Sequence, residues 1–573
     1  MRLFQYVFLL FTSTFFAQQK EALKTPFEKG NGNQSATYKE CIDFYTALDK
    51  QFNTILMLQK GETDCGKNLH IVAFSADGNF DFSQNKVKIL INNGIHPGEP
   101  DGIDASMLLM SHLATAKIEA PKNTIVIVIP VYNIDGMLNR NATSRVNQNG
   151  PEEYGFRGNG RNFDLNRDFI KSDTKNARSF QAIFHEVNPA IFIDNHVSNG
   201  ADYQYVLTCI VTQHERLGKL LGNYLKNDFY KWIVEDLNGK KIAITPYVNI
   251  HDNKPDGGFT QFSDTPRYST GYSTLFNAIG FVPETHMLKP FKDRVRVTYE
   301  FMASTIKIAE ANKDKVLKLK LENNAEYKVG SQYPIKWKID SSKVQNINFK
   351  GFEGNYKTSE VTNIPRLFYD RTKPFSKNIA FYGDYKPTKS VSIPAYYVIP
   401  KAQWEVLDLL KLNKISLIEV KKDSLAEVET YKIADYQTIK SPFEGHYLHY
   451  NAKIESKKEK IKIISGDFLV STQQNGLKYL LETLEPEAID SFFNWNFFDA
   501  ILQQKEGYSA YVFEDLAVQI LKEDRDLKSK FDEKLKRDVE FAKNAEKQLD
   551  WIYENSVYFE KAYLKYPIFR ITK

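Results

Sequence analysis

The first half of the chain predicts an α/β fold with a largely buried central sheet. Three observations predict it. Between about residues 38 and 311, runs with helical spacing alternate with short strand-like runs. Some of the strand-like runs are unbroken and apolar, such as Thr124-Ile125-Val126-Ile127-Val128-Ile129, as in a strand buried on both faces. Four polar clusters each follow an apolar run, where open α/β sheets place their ligands.

In chain order, residues 38–49 read as an amphipathic helix, and 71–74 and 87–91 as strands. Residues 103–113 read as a helix opened by Asp101 and Asp104, whose charge suits a helix N-terminus. A strand follows at 124–130, a helix at 177–187 stopped near Pro189, and a buried strand at 190–194. Segments 203–211, 216–236, 272–278 and 294–311 continue the alternation. The polar stretch 312–315 reads as a linker. Short alternating runs rich in aromatic and turn residues then suggest a β-rich accessory module at 317–400. Residues 401–573 read as mixed α/β and then helical. The catalytic domain is expected over 24–311.

A chain of 573 residues exceeds one hydrophobic core. Its 42% hydrophobic and 26% charged residues exclude a disordered chain. The net charge of +5 is spread out, with no basic stripe, so no nucleic-acid partner is expected. Residues 1–17 have the form of a secretory signal peptide: Arg2, then a mostly apolar run to Phe16, then Ala17. The mature protein is expected to be exported, to periplasm or medium, with no membrane span. Three cysteines, Cys41, Cys65 and Cys209, make no disulfide framework and read as packing residues, a Cys41–Cys65 bridge being the alternative. His446 and His449 read as aromatic strand positions rather than ligands.

The chemistry lies in the four clusters: His96-Pro97-Gly98-Glu99, Asp164-Leu165-Asn166-Arg167, Asp194-Asn195-His196, and Glu284 after Gly280-Phe281-Val282-Pro283. Two histidines and a glutamate can hold one zinc ion and leave a position for water. His96 and Glu99, three apart in a turn shaped by Pro97 and Gly98, can face one ion, with His196 as the third ligand. Glu284 can then move the water's proton, which points to hydrolysis of a peptide or amide bond. Asp164 suits the carboxylate that fixes a zinc histidine's tautomer. Asn166 and Arg167 suit the grip on a substrate's free terminal carboxylate, since a guanidinium holds a carboxylate in a bidentate way.

In these motifs, together with Tyr132-Asn133-Ile134-Asp135-Gly136, Phe163 to Phe169 and Glu284-Thr285-His286, residues 38–311 resemble a zinc metallocarboxypeptidase of the carboxypeptidase A-like family. The resemblance implies a mixed eight-stranded sheet flanked by helices. It implies one zinc ion on His96, Glu99 and His196, Glu284 as general base and then acid, and Asn166 and Arg167 as carboxylate binders on a peptide substrate. It also implies an oxyanion-stabilising arginine, for which Arg145 is chosen over Arg140, Arg157 and Arg161. A tyrosine lining the site is implied too, with Tyr268 chosen over Tyr272. Asp168 stands where the family commonly has asparagine and would set a negative charge near Arg167. The alternatives are a zinc amidase or endopeptidase on the same fold, acting on peptidoglycan stem peptides or acylated amino acids, and an exported binding protein with a decayed site.

Overall fold

In the computed structural model, which describes residues 23–251 and 253–573, one large mixed sheet organises the alternating half of the chain. The leader expected at residues 1–17 lies outside the described residues. The strands are β1 (Ile55–Glu62), β2 (Asn68–Phe74), β3 (Val87–Asn92), β4 (Thr124–Ile129), β5 (Ile191–Asp194), β6 (His196–Ser198), β7 (Leu207–Val211), β8 (Ile244–Pro246), the short β9 (Phe259–Thr260), which lies outside this sheet, and β10 (Ile279–His286). Their order is β1-β2-β4-β3-β5-β10-β7-β8, with β6 beside β10 beyond the end of β5. With β5 and β6 taken as one strand broken at Asn195, this is the mixed eight-stranded sheet expected. β4, β3, β5 and β10 run parallel, while the joins β1–β2, β2–β4 and β10–β7 are antiparallel.

Every residue of β3, β4 and β5 is buried, as unbroken apolar runs require of a sheet covered on both faces. Helices α1 (Tyr38–Gln51), α2 (Asp101–Ala114), α3 (Lys175–Val187), α4 (Tyr230–Gly239) and α5 (Phe291–Ala311) flank it. A capping box starts α1: the Thr37 hydroxyl accepts from the Glu40 N–H and the Glu40 carboxylate accepts from the Thr37 N–H. Asn188, left-handed at φ 48°, ends α3 one residue before Pro189.

The segment 272–278 continues the alternation as the end of a short helix, Ser269–Thr274, and the turn after it. Three sequence expectations change. β1 was not anticipated, because as an edge strand with half-exposed positions it lacks the apolar run of its neighbours. The linker at 312–315 is mostly helical: Lys313–Glu322 forms a helix whose Val316 and Leu319, one turn apart, are buried in the core. Cys65 is exposed rather than packed, and all three cysteines are free.

Beyond the α/β half, β11 (Gln332–Ile339) pairs with β14 (Tyr385–Ser392), and β12 (Gln345–Thr358) forms a long hairpin with β13 (Pro365–Tyr382). β13 also pairs with β9, so this hairpin shares a three-stranded sheet with a short strand of the α/β half, while β11 and β14 form a sheet of their own. β15 (Tyr396–Ile399) joins β16 (Ile418–Glu419), β17 (Ser424–Thr438), β18 (His449–Ile463), β19 (Phe468–Ser471) and β20 (Phe569–Ile571) in the order β16-β19-β15-β20-β17-β18. The final strand thus returns into a sheet begun near residue 396. Helices between Ala510 and Glu554 close a small core of their own around Phe513, Phe531, Phe541 and Tyr553. The main hydrophobic cluster is continuous from the central sheet into the buried helix Leu477–Leu484 and Trp495. Among the described residues, no helix is long and apolar enough to cross a membrane.

Candidate metal centre

The parallel strands deliver the first candidate residues. β3 ends at Asn92 opposite Asp194 of β5, and the chain turns through His96 to Glu99, whose N–H donates to the His96 carbonyl at 2.8 Å. Gly98 permits this turn to close against its neighbours. A Cβ there would lie 2.9 Å from Arg145 Cδ and 3.1 Å from the Gly155 carbonyl oxygen. His196 opens β6, and its register partner on β10 is Glu284. Direct parallel pairing therefore sets these two side by side although they are far apart in sequence.

His96, Glu99 and His196 are buried, with one potential ligand atom from each lying within 4.8 Å of the others. His96 Nε2 is bound to Asp164 Oδ1 at 2.9 Å, and His196 Nε2 to Asp194 Oδ2 at 3.0 Å. Each ring thus turns its Nδ1 toward Glu99, at 3.4 Å for His96 and 3.1 Å for His196. His96 Nδ1 is buried with no hydrogen-bond partner. Zinc bonds near 2.0–2.2 Å in tetrahedral geometry place ligand atoms roughly 3.4 Å apart, so the donor set fits that ion. A carboxylate behind each imidazole is the usual support of a metal histidine. The Asp194 contact was not anticipated, although Asp194 stood in the quoted motif.

Charge around the centre is strongly organised. Burial pushes the Glu99 carboxyl up, but Arg145, His96 and His196 outweigh it and hold the group well below the usual carboxylate range. Asp164 is also held low against burial, by His96, Arg157 and Arg167. His196 lies well above the usual imidazole range, since Asp194 and Glu99 overcome its burial. Burial pushes Glu284 up to about 8, His196 opposes the rise and Glu99 adds to it.

A cavity of about 470 Å³ opens over this cluster. Glu284, Arg145, Asn166, Arg167 and Tyr268 all line it with the three candidate ligands. Arg145 donates to Glu99 Oε1 at 2.7 Å and to the Val197 carbonyl at 2.9 Å. Of its rivals, Arg140 binds the Ser35 and Ala36 carbonyls and Arg161 the Asp173 carbonyl, and neither lines the cavity. Arg157 does line it, and its Nε and Nη2 both donate to the one oxygen Asp164 Oδ2, at 3.0 and 2.8 Å. Asn166 Oδ1 accepts from the Ser269 N–H, and the Arg167 guanidinium lies 4.6 Å over the Tyr268 ring. Tyr272 is fully buried and donates to Asn413 away from the cavity. Tyr247 does reach the cavity and was missed, since no motif surrounds it.

Asp168 does not burden Arg167. It is fully buried, bound to Lys171 Nζ at 2.9 Å, and accepts from the Thr174 hydroxyl and from the Asp173 and Thr174 N–H groups. His446 and His449 bind Asp173 and Asp499 and join no metal cluster. A second ligand-like group, His214, Glu215 and Asp384, already has an ammonium inside it. Lys226 Nζ contacts Asp384 and lies 3.3 Å from His214 Nε2.

Residues 42–198 match the zinc carboxypeptidase family, Peptidase_M14. Carboxypeptidase 2 of Trichophyton rubrum is 21% identical over 429 residues, covering 72% of this chain and 74% of its own. Carboxypeptidase 2 of Trichophyton equinum is 22% identical over 432 residues, with the same coverage. Among solved structures, a metallo-carboxypeptidase from Burkholderia cenocepacia aligns over 48% of this chain and 70% of its own at 13% identity, TM-score 0.36. Carboxypeptidase A from Helicoverpa armigera aligns over 49% and 74% at 15% identity, TM-score 0.36.

Proposed function

We propose that the chain, whose residues 42–198 match the zinc carboxypeptidase family, acts as a zinc carboxypeptidase and removes the C-terminal residue of peptides. One observation carries the reading. The candidate ligands, a half-buried glutamate paired in register with one of them, and an arginine–asparagine pair all line a single cavity. A zinc ion on His96 Nδ1, His196 Nδ1 and Glu99 would supply a Lewis acid and a water of lowered pKa.

The chain's own residues do the rest. Glu284 takes the water's proton and returns it to the departing amine, the two halves of general base and acid catalysis. Arg145 donates to the carbonyl oxygen as charge collects there. Arg167 and Asn166 grip the terminal carboxylate, with Tyr268 fixing the guanidinium plane from below. Asp164 and Asp194 hold the two imidazoles in the tautomer that leaves Nδ1 free to bind metal. The apolar leader at residues 1–17 supports export before the enzyme acts.

The deciding experiment is a digest of one peptide as its free acid and as its C-terminal amide, read by mass spectrometry. Single residues should leave the free acid only. Equal cleavage of both forms, or internal cuts, would transfer the assignment to the amidase or endopeptidase alternative.

A further inference from the structure

We infer that Glu444 and Asp490, in the C-terminal region, are positioning residues that hold the two loops carrying Asn166, Arg167 and Tyr268. The inference rests on the carboxylate-binding role proposed for those residues.

The first clamp is a hairpin tip. Phe443 and His446 exchange backbone hydrogen bonds at 2.8 and 3.1 Å, leaving Glu444 and Gly445 as a two-residue turn. Both turn residues have positive φ, 49° for Glu444 and 81° for Gly445, as a type I′ turn requires. Glycine or asparagine would occupy the Glu444 position at less cost, so the side chain there has a use that offsets the strain. It reaches into the α/β half: Glu444 Oε2 accepts from the Asp164 N–H at 2.8 Å. Asp164 begins the turn that presents Asn166 and Arg167. Gly445 faces the Phe163 ring, where a Cβ would come within 3.0 Å. His446 binds Asp173 at 2.8 Å on the far side of the same loop.

The second clamp is the buried Asp490. It accepts from the Arg267 N–H at 2.9 Å and from Arg267 Nε at 2.6 Å. The same guanidinium lies 4.9 Å over Trp495 and 5.7 Å over Phe443, so Arg267 is fixed by charge and by two aromatic faces. Arg267 immediately precedes Tyr268, whose ring supports Arg167. The Arg267 carbonyl also accepts from the Phe169 N–H, tying the two loops together. Both loops that would read the substrate's terminus are thus anchored from residues 223 and 280 positions later in the chain. A guanidinium grip on a carboxylate depends on sub-ångström placement, so loosening either anchor should weaken that grip selectively.

The test uses the full-length, zinc-loaded protein and two competitive inhibitors: an N-acylated amino acid with a free carboxylate, and a small hydroxamate that binds metal and has no carboxylate. In Glu444→Ala, Ki for the acylated amino acid and KM for a free-acid peptide should each rise about tenfold, the worth of one well-placed charge-assisted hydrogen bond. The hydroxamate Ki and kcat should stay within about twofold. Glu444→Gln keeps an acceptor oxygen and should restore near wild-type values. Asp490→Ala should behave as Glu444→Ala does; should it fail to fold, the Glu444 pair decides alone. An unchanged carboxylate Ki in Glu444→Ala, or equal weakening of both inhibitors, overturns the inference. A wild-type protein that binds the acylated amino acid no better than its amide would instead overturn the carboxylate-binding role on which the inference rests.

Discussion

The parallel centre of the main sheet and the long antiparallel hairpin β17–β18 put strand pairing to opposite ends. In β3, β4 and β5 every side chain is buried, and each strand is paired on both edges. Most of β17 and β18 is exposed or half-buried, and charges of both signs face each other across the pair, as in Glu427 opposite Lys460 and Glu429 opposite Lys458. A strand buried on both faces cannot slip by one residue without moving its whole apolar set, so register is held by the core. The exposed hairpin is held by local pairing, and its charges keep its edge from recruiting other strands. The candidate metal ligands, which must meet within a few ångströms, stand just past the ends of the first kind of strand.

That contrast can be broken at graded strengths. The largest effects should come where β6 and β10 meet. Glu284→Gln should retain stoichiometric zinc and lose about 10²- to 10⁴-fold in kcat, while His196→Ala should lose the metal itself. Zinc analysis beside steady-state rates separates the two. Next, Ile127→Ala, at a fully buried position of β4, should cost about 2–5 kcal/mol in a urea titration. Gly98→Ala should lower kcat/KM by about 10- to 100-fold, because the added methyl displaces Arg145 or the Gly155 backbone.

A smaller effect concerns pH. Burial pushes Asp104, on α2, up to about 7, although its Oδ1 accepts from the Ala36 N–H at 3.1 Å. Its unfolded value is 3.8, so in that window the folded state binds more protons than the unfolded state. Asp104 therefore contributes stability that is complete below the unfolded value and is lost as pH rises through the folded value. Urea midpoints at pH 5 and pH 8 should differ less in Asp104→Asn than in the wild type. At the bottom of the scale, Lys432→Ala on exposed β17 should shift stability by no more than about 0.5 kcal/mol.

Most of the candidate centre was legible because its parts are local. His96 and Glu99 share one turn and Asn166 and Arg167 another, and the His96, His196 and Glu284 clusters follow apolar runs, whereas the Asp164 cluster follows a glycine-rich loop instead of the run expected. Other features left weaker traces. Arg145 was chosen over Arg157 on little local signal, and both reach the cavity from irregular loops. Tyr247 has no neighbouring pattern at all. Asp168 looked like a charge beside Arg167 because adjacency in sequence says nothing of side-chain direction, and Lys171 and Thr174 draw it inward. The helix at Lys313–Glu322 was hidden by its charged surface, although two buried residues one turn apart hold it.

What the sequence determined alone was the α/β class, the buried central strands and the residue types of the centre, because periodicity and apolar runs are local properties that the chain states directly. Only the tertiary structure decided which arginines and which tyrosines face the cavity, which carboxylate stands behind each histidine, and that the C-terminal region clamps the α/β half. Those depend on loops and on contacts between residues far apart in sequence, where position is set by packing against distant partners rather than by any pattern along the chain.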